Sequence, residues 1–140
     1  MSTPAAPFTT KPRPEFRNIH VTQLLAYRLP ASGMVSIMHR VSGALLFLAL
    51  PLLLWTFELS LISETGFARL AGIGSHWLTK IVGVVLAWAF FHHLVAGVRY
   101  LLLDLDIGVE KAHARKSALT VYAISLPLTL MVALRIFGAF

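Results

Sequence analysis

At 140 residues, the chain has room for one domain at most. Hydrophobic residues make up 57% of it and charged residues only 13%, whereas soluble domains carry about 25% charged residues. The long uncharged runs therefore indicate an integral membrane protein. The sequence contains no cysteine, which excludes disulfides, iron–sulfur clusters and zinc–thiolate sites built from this chain. The net charge is +6, but the basic residues do not form a stripe with aromatic residues between them, so we do not expect a nucleic-acid partner.

Residues 1–30 are polar, basic and rich in proline. They contain no apolar run near the start and no small-residue cleavage site, so we expect a cytoplasmic N-terminal segment rather than a signal peptide. Pro30 ends this segment, because proline restricts the residue before it and suits the start of a helix. Residues 31–140 are then expected to form one transmembrane anchor domain.

Three apolar runs follow, and each is about long enough to cross a bilayer as a helix. We predict membrane-spanning helices over residues of about 33–57, 78–103 and 119–137, joined by polar loops over 58–75 and 104–118. The predicted fold class is therefore an all-α membrane protein in which three transmembrane helices form an antiparallel bundle.

Lysine and arginine residues predict the orientation of this bundle. Four of them precede the first span and three lie in the loop 104–118, whereas the loop 58–75 has only Arg69 and the C-terminal end has only Arg135. Cationic residues favour the cytoplasmic side of a membrane. We therefore expect the N-terminus in the cytoplasm and the C-terminus on the periplasmic side.

Polar side chains lie at similar depths in the first two spans. Ser36 precedes His39 and Arg40 by three and four positions, so the three share one helix face. At 1.5 Å per residue, His39 lies about 9 Å and His93 about 15 Å from the cytoplasmic helix ends. Arg40 either snorkels to lipid headgroups or binds an anion such as a haem propionate, and Ser36 is suited to donate to a quinone carbonyl.

His92 and His93 lie well inside the second apolar run, where ionisable residues mark functional sites. One interpretation is a hydrogen bond between helices. The other is axial ligation of haem iron by a neutral imidazole, with an arginine available for the propionates. The residues alone leave both interpretations open. Gly97, one turn after His93, leaves room for a macrocycle and favours His93 over His92 as the ligand.

The remaining polar residues give weaker signals. We interpret Arg99 and Tyr100 as interfacial anchors, and Asp104 as a helix-end charge or as a partner of Arg99. Three further histidines in the tail and loops are assigned no role: His20, His76 and His113. The sequence has no nucleophile–base arrangement, carboxylate pair or phosphate-binding glycine loop, so we do not expect the chain to catalyse a reaction alone.

Two motifs resemble signatures of the succinate dehydrogenase cytochrome b556 subunit family. Residues 36–43, Ser-Ile-Met-His-Arg-Val-Ser-Gly, resemble the first and are preceded by Arg13 and Pro14. Residues 93–99, His-Leu-Val-Ala-Gly-Val-Arg, resemble the second and are followed by Asp104. Together with three spans and a chain of this size, the resemblance covers essentially residues 11–138.

The resemblance implies a role for each matching residue. His93 is expected to be an axial ligand of haem b, with the second axial ligand supplied by another small anchor subunit. Ser36 and Arg40 are expected to line the ubiquinone pocket, and His39 and Arg40 to lie near the haem propionates. The quinone tyrosine of the family belongs to the partner subunit, so Tyr100 receives no such role.

The resemblance also implies a function in a bacterial inner membrane. Such a chain, surrounded by membrane lipids, anchors a flavoprotein subunit with FAD and a subunit with iron–sulfur clusters. Electrons from succinate then reach ubiquinone, which links the tricarboxylic acid cycle to the respiratory chain. Two alternatives stay open: a quinol–fumarate reductase anchor, and a haem-free structural anchor in which the histidines only pack. The sequence does not distinguish ubiquinone from menaquinone as the bound quinone, and it does not show whether the complex forms trimers.

Overall fold

The computed structural model describes residues 22–23 and 27–139. Within residues 27–139 the chain forms four α-helices and no strand: α1 (Ala31–Ile62), α2 (Glu64–Ser75), α3 (Trp77–Asp104) and α4 (Lys111–Ile136). Most of the N-terminal segment predicted over 1–30, including Arg13, Pro14 and His20, lies outside the described residues.

Helices α1, α3 and α4 are each long and apolar enough to cross a membrane. The prediction of an all-α membrane protein with three spanning helices is therefore confirmed. Contacts between residues of α1 and α3 pair higher numbers on one helix with lower numbers on the other, since Gly43 approaches His93 and Gly97 approaches His39. Neighbouring spans thus run antiparallel.

Helix α3 is the central element, because it packs extensively on both α1 and α4. Small side chains fill these interfaces and are completely buried: Ser42, Ala89, Ala96, Ala118 and Ser125. Large apolar side chains point outward instead, as Phe47 and Leu48 do with 74% of their surface exposed. In a bilayer the hydrophobic effect does not drive helices together, and small residues allow their backbones to pack closely. An arrangement with small residues inside and large apolar residues outside therefore suits a bilayer.

The helices are longer than the predicted spans. Helix α1 continues to Ile62, past the predicted end at 57, and α4 begins at Lys111, before the predicted start at 119. The predicted boundaries followed the loss of hydrophobicity, but lysine, arginine and glutamate are good helix formers. Both helices therefore continue through polar residues beyond the apolar core of the span.

Helix α2 occupies the segment predicted as a loop over 58–75, and the prediction is wrong there. Ser63 caps the helix, since its hydroxyl accepts a hydrogen bond of 3.0 Å from the backbone N–H of Gly66. A Cβ atom at Gly66 would lie 2.5 Å from the carbonyl oxygen of Leu59, so the tight turn between α1 and α2 requires glycine there. The capping signal was present in the sequence, but the two glycines later in the helix obscured it.

The turn between α3 and α4 ends α3 with two backbone hydrogen bonds. Ile107 N–H donates to the carbonyl of Leu102 at 3.0 Å, and Asp106 N–H donates to that of Leu103 at 3.0 Å. This pairing is a Schellman motif, with Asp106 in the left-handed region at φ 60°. The motif folds Ile107 back towards α3 and directs the chain into α4.

Candidate functional site

The structure brings together the histidines of the two motifs. The His39 ring on α1 stacks on the His93 ring on α3, with ring centroids 4.2 Å apart and planes inclined by 10°. The Tyr100 ring lies 5.1 Å from that of His39. His39 and His93, which we expected at similar depths, therefore lie in contact between α1 and α3.

A backbone carbonyl fixes the tautomer of His93. Its Nδ1 atom lies 3.1 Å from the carbonyl oxygen of His39, and a carbonyl can only accept, so Nδ1 carries the proton and donates. The Ser42 hydroxyl donates to the same oxygen at 2.9 Å and lies 3.4 Å from Nδ1. The Nε2 atom of a neutral His93 then holds a free lone pair, and the side chain is only partly buried. This imidazole is available as a metal ligand.

Gly43 makes room for the His93 ring. A Cβ atom at Gly43 would lie 2.8 Å from Cε1 and 3.1 Å from Nδ1 of His93, so any larger residue would displace the imidazole. Gly97 behaves differently, because a Cβ atom there would lie 3.6 Å from Nε2 of His39, an ordinary contact. The close approach at this site is therefore made by Gly43, and the space that we expected Gly97 to leave beside His93 faces His39 instead.

His92 lies in the core of the bundle and not at this site. It is completely buried, between the Trp88 ring at 5.4 Å and the Tyr122 ring at 5.5 Å. Neither ring nitrogen makes a well-formed hydrogen bond within the described part of the chain. His92 thus faces the interior of the bundle, and His93 is the more accessible of the two.

Ser36 and Arg40 lie on the same helix as His39. Ser36 precedes His39 by three positions, and Arg40 directly follows it. Ser36 is partly buried and Arg40 is exposed. The structure records no side-chain hydrogen bond or ion pair for either residue with the residues that it describes. Both therefore keep their donors for a ligand or for another subunit.

Arg99 is not an interfacial anchor, and that interpretation is wrong. Only 7% of it is exposed, and it joins α3 to α4. Its Nε donates to the Ser117 hydroxyl at 3.0 Å and its Nη2 donates to the Ala114 carbonyl at 3.3 Å, so these residues and not Asp104 are its partners. Tyr100 is partly buried, and its hydroxyl has no hydrogen-bond partner among the described residues.

A spacing in the sequence could have revealed this arrangement. The buried residues of α3 are Ala89, His92, Ala96 and Arg99. They recur every three or four positions, which is the seam of a helix that packs against neighbours along its length. His93, one position off this seam, lies towards α1 and towards the outside of the bundle.

The described residues contain no group of three or more His, Asp or Glu side chains able to hold a metal ion directly. His93 offers a single imidazole, one of whose nitrogens is hydrogen-bonded to a carbonyl. One such donor would suit a metal that a prosthetic group already binds.

Comparisons with known proteins match this chain to one family. Its residues 10–132 match the family model described as succinate dehydrogenase/fumarate reductase transmembrane subunit. The succinate dehydrogenase cytochrome b556 subunit of Paracoccus denitrificans is 33% identical over 108 residues, covering 77% of this chain and 83% of the relative. The subunit of the same name from Coxiella burnetii is 34% identical over 104 residues, with coverage of 73% and 82%. That of Rickettsia felis is 31% identical over 124 residues, with coverage of 87% and 97%.

Proposed function

Because this chain belongs to the succinate dehydrogenase/fumarate reductase transmembrane subunit family, we propose that it is the haem b-binding anchor of a succinate dehydrogenase and forms part of the ubiquinone-reduction site. The relatives described above carry the name cytochrome b556 subunit. The contact between His39 and His93, with rings 4.2 Å apart, is the observation that carries the proposal. It joins the two motifs into one site on the bundle.

His93 would hold the haem iron through Nε2. Metal-binding histidines commonly donate their other ring N–H to a carbonyl or carboxylate, which orients the ring and raises its basicity. The His39 carbonyl serves His93 in this way, at 3.1 Å. Haem b, when bound, supplies a reversible one-electron centre. The second axial ligand would come from another small anchor subunit, because His92 is enclosed in the core of this chain.

His39 and Arg40 would hold the haem propionates. Nε2 of His39 is buried and has no hydrogen-bond partner within the described ranges, and in the tautomer with its proton on Nε2 it would need an acceptor. Burying such a group without a partner costs about 1–3 kcal/mol. A carboxylate beside it would remove that cost, and the exposed Arg40 guanidinium offers the fork geometry that a carboxylate fits.

Ser36 and Arg40 would act on the quinone. The Ser36 hydroxyl would donate to a quinone carbonyl, and Arg40 would stabilise negative charge on the quinone oxygen as it develops. Arg40 would thus lie between the haem propionates and the quinone. Reduced quinone would take its protons through this polar end of the bundle.

The partners follow from the family. A succinate dehydrogenase joins this kind of transmembrane subunit to a flavoprotein subunit and an iron–sulfur subunit, which would hold FAD and the clusters. The relatives are bacterial, which favours a bacterial cytoplasmic membrane. The cations that precede α1 and follow α3 favour an orientation with the N-terminus and the α3–α4 turn inside. The polar site would then lie on the cytoplasmic half, towards the iron–sulfur subunit.

Two alternatives bear on this proposal, and only one of them predicts a different absorption spectrum. A quinol–fumarate reductase anchor would hold the same groups, because the potentials of the bound centres and of the quinone set the direction of electron flow. A haem-free anchor would keep the His39–His93 stack as packing alone. A b-type absorption band in the purified complex distinguishes the haem-free anchor from the other two.

We expect Ser36→Ala and Arg40→Ala to lower succinate-dependent ubiquinone reduction by at least about tenfold, since each removes a group that stabilises developing charge. Succinate oxidation with an artificial acceptor should persist in both variants, because the flavoprotein does not need the anchor for it. Arg69→Ala, an exposed cation on α2, is the matched control and should leave both activities unchanged. Unchanged quinone reduction in both variants would contradict the proposed site.

A further inference from the structure

A cleft of about 400 Å³ opens between the last turns of α3 and the first turns of α4. One end is basic and is lined by Arg99, His113 and Lys116. The walls away from this end are apolar, with residues from both helices: Val95, Val98, Leu102, Val121 and Ile124. We propose that this cleft binds one anionic phospholipid, with the phosphate at the basic end and an acyl chain along the apolar walls.

Arg99 supplies the first argument, because its charge has no counter-ion among the described residues. The guanidinium is always protonated in proteins, yet 93% of this residue is buried and its two hydrogen-bond acceptors, Ser117 and Ala114, are neutral. The Tyr100 ring, 5.2 Å from the guanidinium carbon, adds a cation–π contact but no negative charge. A buried charge is costly unless an opposite charge pairs with it. An anion in the adjoining cleft would provide that pair.

The charge balance of the cleft supports the same ligand. None of the described residues that line it is acidic. Glu110 lies nearby, but its carboxylate contacts His113 at 3.3 Å in a pair that is exposed on both sides. Lys116 adds a second permanent cation. The cleft is therefore complementary to a headgroup with a net negative charge and not to a zwitterionic one.

The shape of the cleft argues for a lipid and against free phosphate. Its lining runs along α3 from Val95 to Leu103, about 12 Å at 1.5 Å per residue. Half of the hydrocarbon core of a bilayer is about 15 Å thick, so the lining, which includes Arg99, spans most of one leaflet. The three basic residues lie within five positions of the end of α3 at Asp104 or of the start of α4 at Lys111, on the headgroup side of the cleft. Inorganic phosphate would use only the basic end and leave the apolar walls uncovered.

The test uses the whole purified complex, stripped of lipid in neutral detergent and titrated with dioleoyl phosphatidylglycerol or dioleoyl phosphatidylcholine. Native mass spectrometry counts the lipids retained per copy of this chain. We expect one phosphatidylglycerol to be retained and not displaced by excess inorganic phosphate. Equal retention of phosphatidylcholine, or displacement by phosphate, would overturn the proposal.

Matched variants locate the lipid. Lys116→Gln should weaken phosphatidylglycerol binding about fivefold, since a basic residue near a membrane surface contributes about 1 kcal/mol to binding of anionic lipid. Lys111→Gln, on the same helix but outside the cleft, should not. Val98→Trp fills the apolar part and should abolish binding, whereas Leu94→Trp, one turn away and equally exposed at 52%, should not. Equal effects within either pair would overturn the proposal.

A third measurement separates a lipid from a helix of another subunit. The chain has no cysteine, so Val98→Cys carries a unique thiol in it. We expect this thiol in the complex to be labelled by a phosphatidylglycerol that carries a thiol-reactive acyl chain. Efficient cross-linking of the same thiol to a partner subunit by a short bifunctional reagent would show that protein fills the cleft, and would contradict the proposal.

Discussion

His93 owes its orientation to a backbone atom of the other motif. The His39 carbonyl accepts from His93 Nδ1 and from the Ser42 hydroxyl, so one oxygen holds both His93 and the serine that lies beside it. Because the acceptor is neutral, the site gains no extra buried charge. The two motifs are thus physically coupled, and a change in one is expected to alter the other.

Gly43→Ala tests this coupling at a single atom. The new methyl group would lie 2.8 Å from Cε1 of His93, and overpacking of this kind costs about 1–3 kcal/mol. We expect the variant complex to lose haem or to hold it at a shifted reduction potential, measured by haem content and redox titration.

Gly97→Ala is the matched control for that prediction. Its methyl group would meet His39 Nε2 at 3.6 Å, an ordinary contact, and alanine is about 1 kcal/mol more favourable than glycine inside a helix. Haem content and potential should remain as in the parent complex. Haem loss in Gly97→Ala with none in Gly43→Ala would contradict the geometry of the site.

At the scale of elements, α2 depends on one residue without a side chain. Gly66→Ala would place a methyl group 2.5 Å from the Leu59 carbonyl and break the turn that joins α1 to α2. Gly72→Ala meets open space on the same helix and adds helix propensity of about 1 kcal/mol. We expect the first variant to lower the Tm of the purified complex and the second to keep or raise it. A lower Tm in both would show that α2 needs its glycines for another reason.

The helices themselves were largely predictable, because long uncharged runs have few alternatives to membrane-spanning helices. Their buried faces were harder to predict. In a soluble helix, polar residues mark the outer face, but here most residues on both faces are apolar, and the buried seam of α3 is marked by two alanines together with His92 and Arg99. Arg99 was misassigned for this reason, since its position near the helix end suggested the interface while its place on the seam with Ala96 buries it.

The site shows the same limit. The resemblance to the family's motifs selected four candidate residues: Ser36, His39, Arg40 and His93. The structure brings two of them, His39 and His93, into contact. The role of Gly43 could not be read from the sequence, because it depends on how closely α1 approaches α3. The distance of 2.8 Å between a Cβ atom at Gly43 and Cε1 of His93 reveals this role, whereas the sequence pattern does not.

At the scale of the whole molecule, three spanning helices place the two ends of the described bundle on opposite sides of the membrane. The distribution of cations favours the α3–α4 turn inside. We expect alkaline phosphatase fused after Phe140 to be active in the periplasm and green fluorescent protein fused there to be dark. The reverse result would invert the orientation and move the polar site away from the cytoplasmic subunits.

The central claim is that His93, and not its neighbour His92, holds haem b in this complex. Its most direct test is the reduced-minus-oxidised absorption spectrum of complexes that carry His93→Leu or His92→Leu. Both substitutions remove an imidazole from adjacent positions of α3. Succinate oxidation with an artificial acceptor verifies that each complex has assembled. We expect loss of the b-type band in His93→Leu and its survival in His92→Leu. A band that survives in His93→Leu would contradict haem ligation by His93.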